Sequence, residues 1–285
     1  MNKRTQPRQR KGRPRTSMAV RTDKYKLYEL SVQSADADID FIDDTFLTLK
    51  KRRAARLRED FCGTANNSCA WVKRRPGNHA LAVDHDPLVL EWGRQHHVTG
   101  LTEEQARRIR LVNEDVVRVA PETMDIVMAL NFSYWVFRDR RTMVRYFRRV
   151  HAALAADGIL FLDAFGGYEA LREMRESTRH RNFTYIWDQA GYDPITGDYL
   201  CKIHYKFSDG STLREAFVYH WRLWMLPELI EMLTAAGFRV TVYWEGTAPD
   251  GGGNGIFKPA IRGEADACWI VYLAAEKTDR RVKSK

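Results

Sequence analysis

The chain has 285 residues, 44% of them hydrophobic, enough for one large domain, or one domain with a lid, around a proper core. Nowhere do about eighteen apolar residues run together and the N-terminus has no apolar stretch of the signal-peptide kind, which excludes chain-wide disorder and a spanning helix and leaves a soluble, cytoplasmic protein as the expectation. The net charge of +9 sits at the ends: residues 1–22 hold eight Lys/Arg and no acid, and 276–285 hold five against two. Residues 23–275 keep 33 basic and 35 acidic side chains, which speaks against a body built to bind a polyanion.

Four cysteines, Cys62, Cys69, Cys201 and Cys268, lie far apart with no C-x-x-C pair, so reduced thiols and no metal site are expected. Residues 1–22 read as a disordered basic leader, a sequence-independent polyanion contact at most. Met18 opens the first segment with ordered character and is a second candidate start.

Residues 23–53 show helical spacing at Tyr25, Leu27, Tyr28 and Leu30, then at Ile39, Phe41, Ile42, Phe46 and Leu47, predicting two helices outside the core. From residue 54 strand and helix patterns alternate. "ARLREDF" is a strand, "ANNSCAWVKRR" a helix, "HALAVDHD" a strand, and "PLVLEWGRQHHV" a helix opened by Pro87. The strands "IRLVNED" and "MDIVMALNFS", the amphipathic helix "RRTMVRYFRRVHAALAA" and the strand "GILFLDAF" follow. Alternation of this kind predicts a Rossmann-like, mostly parallel seven-stranded sheet with helices on both faces.

Between 181 and 224 the period switches to three β-rich runs divided by Asp193-Pro194-Ile195-Thr196-Gly197 and Asp209-Gly210. This predicts an antiparallel β meander inserted as a cap. The helix "LPELIEMLTAAG", closed by Gly237, and the strands "FRVTVYWEG" and "ACWIVYLAA" complete the core, with "GGGNG" at 251–255 read as a loop. The predicted division is a leader 1–22, N-terminal helices 23–53, a core 54–180 and 225–275, a cap 181–224, and a basic tail 276–285.

In an open parallel sheet, ligands bind beyond the carboxyl ends of the strands. Glu59, Gly63, Asp84 and Asp115 fall at or just past such ends. A dinucleotide fingerprint needs G-x-G-x-x-G, whereas this window reads Phe61-Cys62-Gly63-Thr64-Ala65-Asn66 with one glycine of three in place. A nicotinamide-dependent oxidoreductase is therefore disfavoured. A ligand with an ammonium, a ribose and an adenine but no phosphate fits better: Glu59 for the amine, Gly63 for close backbone passage, Asp84 for the ribose hydroxyls, Asp115 for the adenine amino group. S-adenosylmethionine has those parts. Asp60 competes with Glu59 for the ammonium, and strand alternation puts the two on opposite faces.

With these residues in order, the chain resembles the class I S-adenosylmethionine-dependent methyltransferases. Glu59-Asp60-Phe61-Cys62-Gly63-Thr64-Ala65 looks like the family's first motif, Asp84 in "AVDHDP" and Asp115 in "VNEDV" like its later acidic positions, and "LAADGILFLDAF" like its Leu-x-Pro-Gly-Gly strand opening. Phe61 and Ala65 replace the motif's outer glycines. The resemblance implies a cofactor set of Glu59, Phe61, Gly63, Thr64, Asp84, His85, Asp115, Val116 and Asn131. Asn131 to Tyr134 occupy the place where amino-methylating members carry Asn/Asp-Pro-Pro-Tyr/Phe, with Phe132 and Ser133 for both prolines. Candidate bases are Tyr134, His220 and Glu245. Candidate acceptor contacts are Ser133, Tyr168, Trp221 and Arg222, with Tyr25 and Tyr28 closing over the cofactor. The expected activity is methyl transfer to a small molecule, with a homodimer as a candidate assembly; RNA or protein methylation recruited by the leader, or cofactor binding without turnover, are the alternatives.

Overall fold

The computed structural model describes residues 16–249 and 251–278; most of the basic leader and the end of the basic tail lie outside them. A helical turn α1 (Met18–Arg21) precedes α2 (Lys24–Ser31) and α3 (Ala35–Lys50). There follow β1 (Arg56–Asp60), α4 (Asn66–Arg74), β2 (His79–Asp84), α5 (Pro87–His96), a single turn α6 (Glu103–Ala106), β3 (Ile109–Asn113) and β4 (Met124–Ala129). After α7 (Arg140–Ala153) and β5 (Leu154–Gly166) the chain leaves the sheet for β6 (Met174–Arg179), β7 (Phe183–Tyr192), β8 (Asp198–Phe207) and β9 (Thr212–Arg222). It returns through α8 (Leu226–Ala235), β10 (Phe238–Thr247), β11 (Gly253–Ala260) and β12 (Trp269–Lys277).

The main sheet runs β11-β10-β12-β5-β4-β1-β2-β3. Strands β1 to β5 pair in parallel, while β12 is antiparallel to both β5 and β10. Both faces are covered, as parallel strands with continuous apolar runs require. Along β4, Val127 and Ala129 pack with α7 and α8 on one side, Ile126 and Met128 with α3 and α4 on the other. The strand order reverses at β1, which lies between β2 and β4, so the ends of β1 and β4 form the switch point where such sheets hold ligands.

Three details differ from the sequence reading. The sheet has eight strands, because "GNGIFKPA" at the end of the glycine run pairs along the edge of β10, its Gly255 N–H held by Glu245 Oε1 at 2.8 Å. The cap has four strands, because Met174–Arg179, assigned to the core, is an exposed polar strand on the edge of β7. At the ends, residues 18–21 form a helical turn whose Met18 N donates to Asp209 Oδ2 at 2.8 Å, and β12 continues to Lys277.

Candidate active site

The turn after β1 carries left-handed backbone at three alternate residues: Phe61 (φ 57°), Gly63 (φ 53°) and Ala65 (φ 58°). A side chain costs energy there, and burial offsets it. The Phe61 ring lies 5.8 Å from that of Phe137 and 6.0 Å from that of Tyr146, and Ala65 is fully buried. At Gly63 an added Cβ would meet nothing within 4 Å, so open space lies against the backbone here. Gly93 of α5 is the opposite case, since a Cβ there would stand 2.2 Å from the Thr64 carbonyl oxygen; only glycine lets α5 close on the turn.

Glu59 is 5% exposed, its Oε2 accepting Ser68 N–H at 3.0 Å and Ser68 Oγ–H at 2.5 Å. Burial pushes its carboxyl up to about 8, with the Ser68 hydrogen bonds pulling back and Asp38 and Asp84 pushing further. Asp38, from α3, accepts Tyr272 Oη–H at 2.6 Å and is raised by burial. Asp163, near the end of β5, is raised to about 7 by burial, although it accepts Phe132 N–H at 2.9 Å and Asn131 N–H at 2.7 Å. Asp84 accepts Gly63 N–H at 2.8 Å on Oδ2 and Asp86 N–H at 2.9 Å on Oδ1. Among the described residues, none of these four acids forms an ion pair with lysine or arginine. Acids held partly protonated for want of a lysine or arginine partner form a site whose ionised state a bound cation would stabilise.

Asp60 faces the other way. It is 1% exposed, paired with Arg58 Nε at 2.6 Å, and accepts Tyr146 Oη–H at 2.9 Å, while Arg58 Nη2 donates to the Val116 carbonyl. The pair fills the space under the turn and leaves Glu59 as the acid on the open side. Asp115 caps the turn after β3, accepting Val117 N–H at 2.9 Å, and Val116 is buried beside it. His85 follows Asp84 with its side chain 80% exposed.

Helix α2 lies across this turn. Glu29 Oε1 accepts Thr64 Oγ1–H and meets His97 Nε2, both at 2.6 Å. Asp23 caps the helix and accepts Trp92 Nε1–H at 2.5 Å. Tyr25 packs on Trp92 and Phe217, Tyr28 on Phe217, and the Tyr28 and Tyr219 hydroxyls share a hydrogen bond. The strap thus joins the β1 turn to the cap.

Beyond Asn131 and Phe132 opens a cavity of about 160 Å³ between the β4 and β5 ends, α2 and the inner face of the cap. Tyr28, Phe165, Trp187, Tyr219 and Trp221 are among the residues of its wall. Strand register puts Trp187, Ile203, Tyr219 and Trp221 on one face of the cap sheet.

Of the residues that the sequence offers for the chemistry, Trp221 and Asn131 line this cavity, and the three candidate bases do not. Tyr134 is fully buried and donates to the Asp163 carbonyl at 2.8 Å, with burial holding its hydroxyl protonated. His220 is exposed on the opposite face of β9. Glu245 is tied to β11. Among the acceptor choices, Ser133 donates to the Leu130 carbonyl, Tyr168 is 59% exposed, and Arg222 stacks on Trp224 at 3.9 Å and bonds Glu228. Sequence reasoning passed over Asp38, Asp163 and Glu29; of these only Asp163, an acid inside the apolar run "ILFLDAF", carried a signal.

No family model matches the chain, and no curated protein sequence matches it. Solved structures do. An S-adenosylmethionine-dependent methyltransferase from Clostridium acetobutylicum superposes with a TM-score of 0.65 at 15% identity, over 89% of this chain and 98% of that one. CalS10, an amino pentose methyltransferase from Micromonospora echinaspora, gives 0.65 at 17%, over 90% and 98%. The sugar N-methyltransferase KedS8 from Streptoalloteichus gives 0.59 at 16%, over 98% and 100%. The chain has the Rossmann-like fold of the S-adenosylmethionine-dependent methyltransferases, with a four-stranded antiparallel cap inserted after β5.

Proposed function

We propose that this protein is an S-adenosylmethionine-dependent methyltransferase acting on a small-molecule acceptor. The observation that carries the reading is the set of mutually coupled acids without a lysine or arginine partner among the described residues, buried Glu59, Asp84 and Asp163 with half-buried Asp38, beside the open space at Gly63 and an apolar cavity. The donor set fits the cofactor, which has an ammonium and a sulfonium but no phosphate. Glu59 and Asp38 would balance the ammonium, Asp84 would take the ribose hydroxyls, and Asp115 the adenine amino group. Bound there, the cofactor supplies an electrophilic methyl group.

The chain's own contribution is alignment and exclusion of water, the main demands of an in-line displacement. Asp163 fixes the left-handed Asn131–Phe132 turn that separates cofactor space from the cavity. Helix α2 covers the turn, and the cap walls the acceptor space. That enclosed position and the near-neutral body favour a small acceptor over RNA or protein.

A thermal-shift comparison tests the reading. A ligand present at 100 times its dissociation constant adds about 2.7 kcal/mol, so S-adenosylmethionine and S-adenosylhomocysteine should raise the melting temperature by several degrees. NAD and ATP should not, and Asp84→Asn should shrink the shift. Equal or larger shifts with NAD would overturn it.

A further inference from the structure

Among the described residues, the cavity wall contains no lysine, arginine or histidine. Its rings include Tyr28, Phe132, Phe165, Trp187, Tyr219 and Trp221. Its charged members are two carboxylates, Glu169 and Glu176. Glu176 sits opposite Trp187 in the β6–β7 register and so on the same sheet face, at the exposed edge of the cavity; the Cys268 thiol is pushed up first by burial and then by the Glu176 charge. It forms no ion pair among the described residues. Glu169 meets Arg172 Nη1 at 3.3 Å, with that arginine 65% exposed at the rim. Arg175, the next cation along β6, is taken by Asp188 at 2.8 Å.

The neutral polar groups agree. Gln189 spends its amide N–H groups on the Glu169 and Arg172 carbonyls, at 2.9 and 2.7 Å. The indole N–H of Trp221 is buried without a hydrogen-bond partner among the described residues, a lone donor suited to a hydroxyl or carbonyl. An anionic group entering here would lose its hydration and gain no counter-charge, which is prohibitive in a low-dielectric site. A cation gains ring faces and carboxylates together.

Resting on the cavity being the acceptor site of the proposed methyltransferase, we propose that its acceptor is an amine carried on apolar or aromatic carbon, which enters as the ammonium, gives one proton to Glu169 or Glu176 and through them to solvent, and then attacks as the free amine, the new N–C bond forming as the methyl–sulfur bond breaks and its electron pair stays on sulfur; acceptors bearing phosphate or carboxylate are rejected. The acid pair Glu169 and Glu176 selects charge, and the aromatic wall selects the carbon skeleton.

Calorimetry and quenching of tryptophan fluorescence, with Trp187 and Trp221 as reporters, provide the test on the full chain. The probes are 2-phenylethylamine, 3-phenylpropionate of similar shape, and UDP-glucose, each with and without S-adenosylhomocysteine. The expected result is binding of the amine at least tenfold tighter than the carboxylate, with UDP-glucose weakest. Glu176→Gln and Glu169→Gln, at positions within reach of solvent and so tolerated by the fold, should each narrow the amine-to-carboxylate ratio several-fold without changing binding of S-adenosylhomocysteine. Preference for the carboxylate or for UDP-glucose, an equal response, or no response to any probe overturns the proposal. Failure of S-adenosylhomocysteine to bind overturns the cofactor reading instead, since the amine-to-carboxylate ratio is read without it as well.

Discussion

The carboxylate of Asp163 on β5 holds the backbone amide of Asn131, just past β4, at 2.7 Å, and the next amide, Phe132, at 2.9 Å. Both held residues are left-handed, with φ of 55° and 57°, so the acid stabilises a turn that the backbone alone would avoid. Asp163→Asn leaves one amide facing a donor. The expected loss is about 1–3 kcal/mol of unfolding free energy, as for an unsatisfied buried group, with a larger loss in methyl transfer. Denaturant unfolding beside a turnover assay checks it, and unchanged stability would remove Asp163 from its role.

Glu59 links stability to pH. Its carboxyl sits at about 8 in the folded chain against an ordinary 4.5, so the folded state keeps a proton that the unfolded chain releases. The contribution is full below about pH 4.5 and falls as pH rises toward 8, by up to about 1.4 kcal/mol per unit. Glu59→Gln keeps an acceptor for Ser68 and cannot ionise. The variant should gain stability over wild type as pH goes from 5 to 8 while losing cofactor affinity; parallel stability curves would contradict this.

A cation bound beside Glu59 and Asp163 favours their ionised forms. Cofactor affinity should therefore rise from pH 6 to pH 8, with up to about tenfold per unit for one released proton. Calorimetry in buffers of different ionisation enthalpy measures the protons released, and the number should drop in Glu59→Gln.

The Glu29 contact ties α2 to Thr64 and His97. Glu29→Ala should cost roughly 1 kcal/mol of stability and speed cofactor release. Hydrogen exchange over residues 24–31 should rise in the variant and be suppressed by cofactor in wild type. Equal protection in both would mean that packing on Phe217 alone holds the helix.

The buried Arg58–Asp60 pair, 2.6 Å apart, predicts an asymmetry. Arg58→Met should destabilise by about 3–5 kcal/mol, and the double change with Asp60→Leu should recover much of it. Urea unfolding of the three proteins, wild type included, decides; a double variant as weak as the single would contradict the account.

Much of the fold was legible because β2, β4 and β5 are largely buried and read as apolar runs between turn signals. Strands β6 and β11 escaped notice because edge strands take their order from a partner: one is polar after Met174, the other opens on glycines. Glu59, Gly63, Asp84 and Asp115 stood out by falling in order at strand ends. Asp38 looked like one acid among several on an acidic helix face, and only tertiary packing brings it to Glu59. Alternation separates His220 from Trp221 but does not say which face meets the cavity, and the choice of His220 as a base turned on that point.

The most direct measurement is calorimetric titration of S-adenosylmethionine into the full chain near pH 7.5, with Asp84→Ala beside it. The expected result is one site of micromolar affinity, accompanied by proton release and weakened about 10- to 100-fold by the substitution, equivalent to about 1–3 kcal/mol. A folded wild-type chain that takes up no S-adenosylmethionine would contradict it.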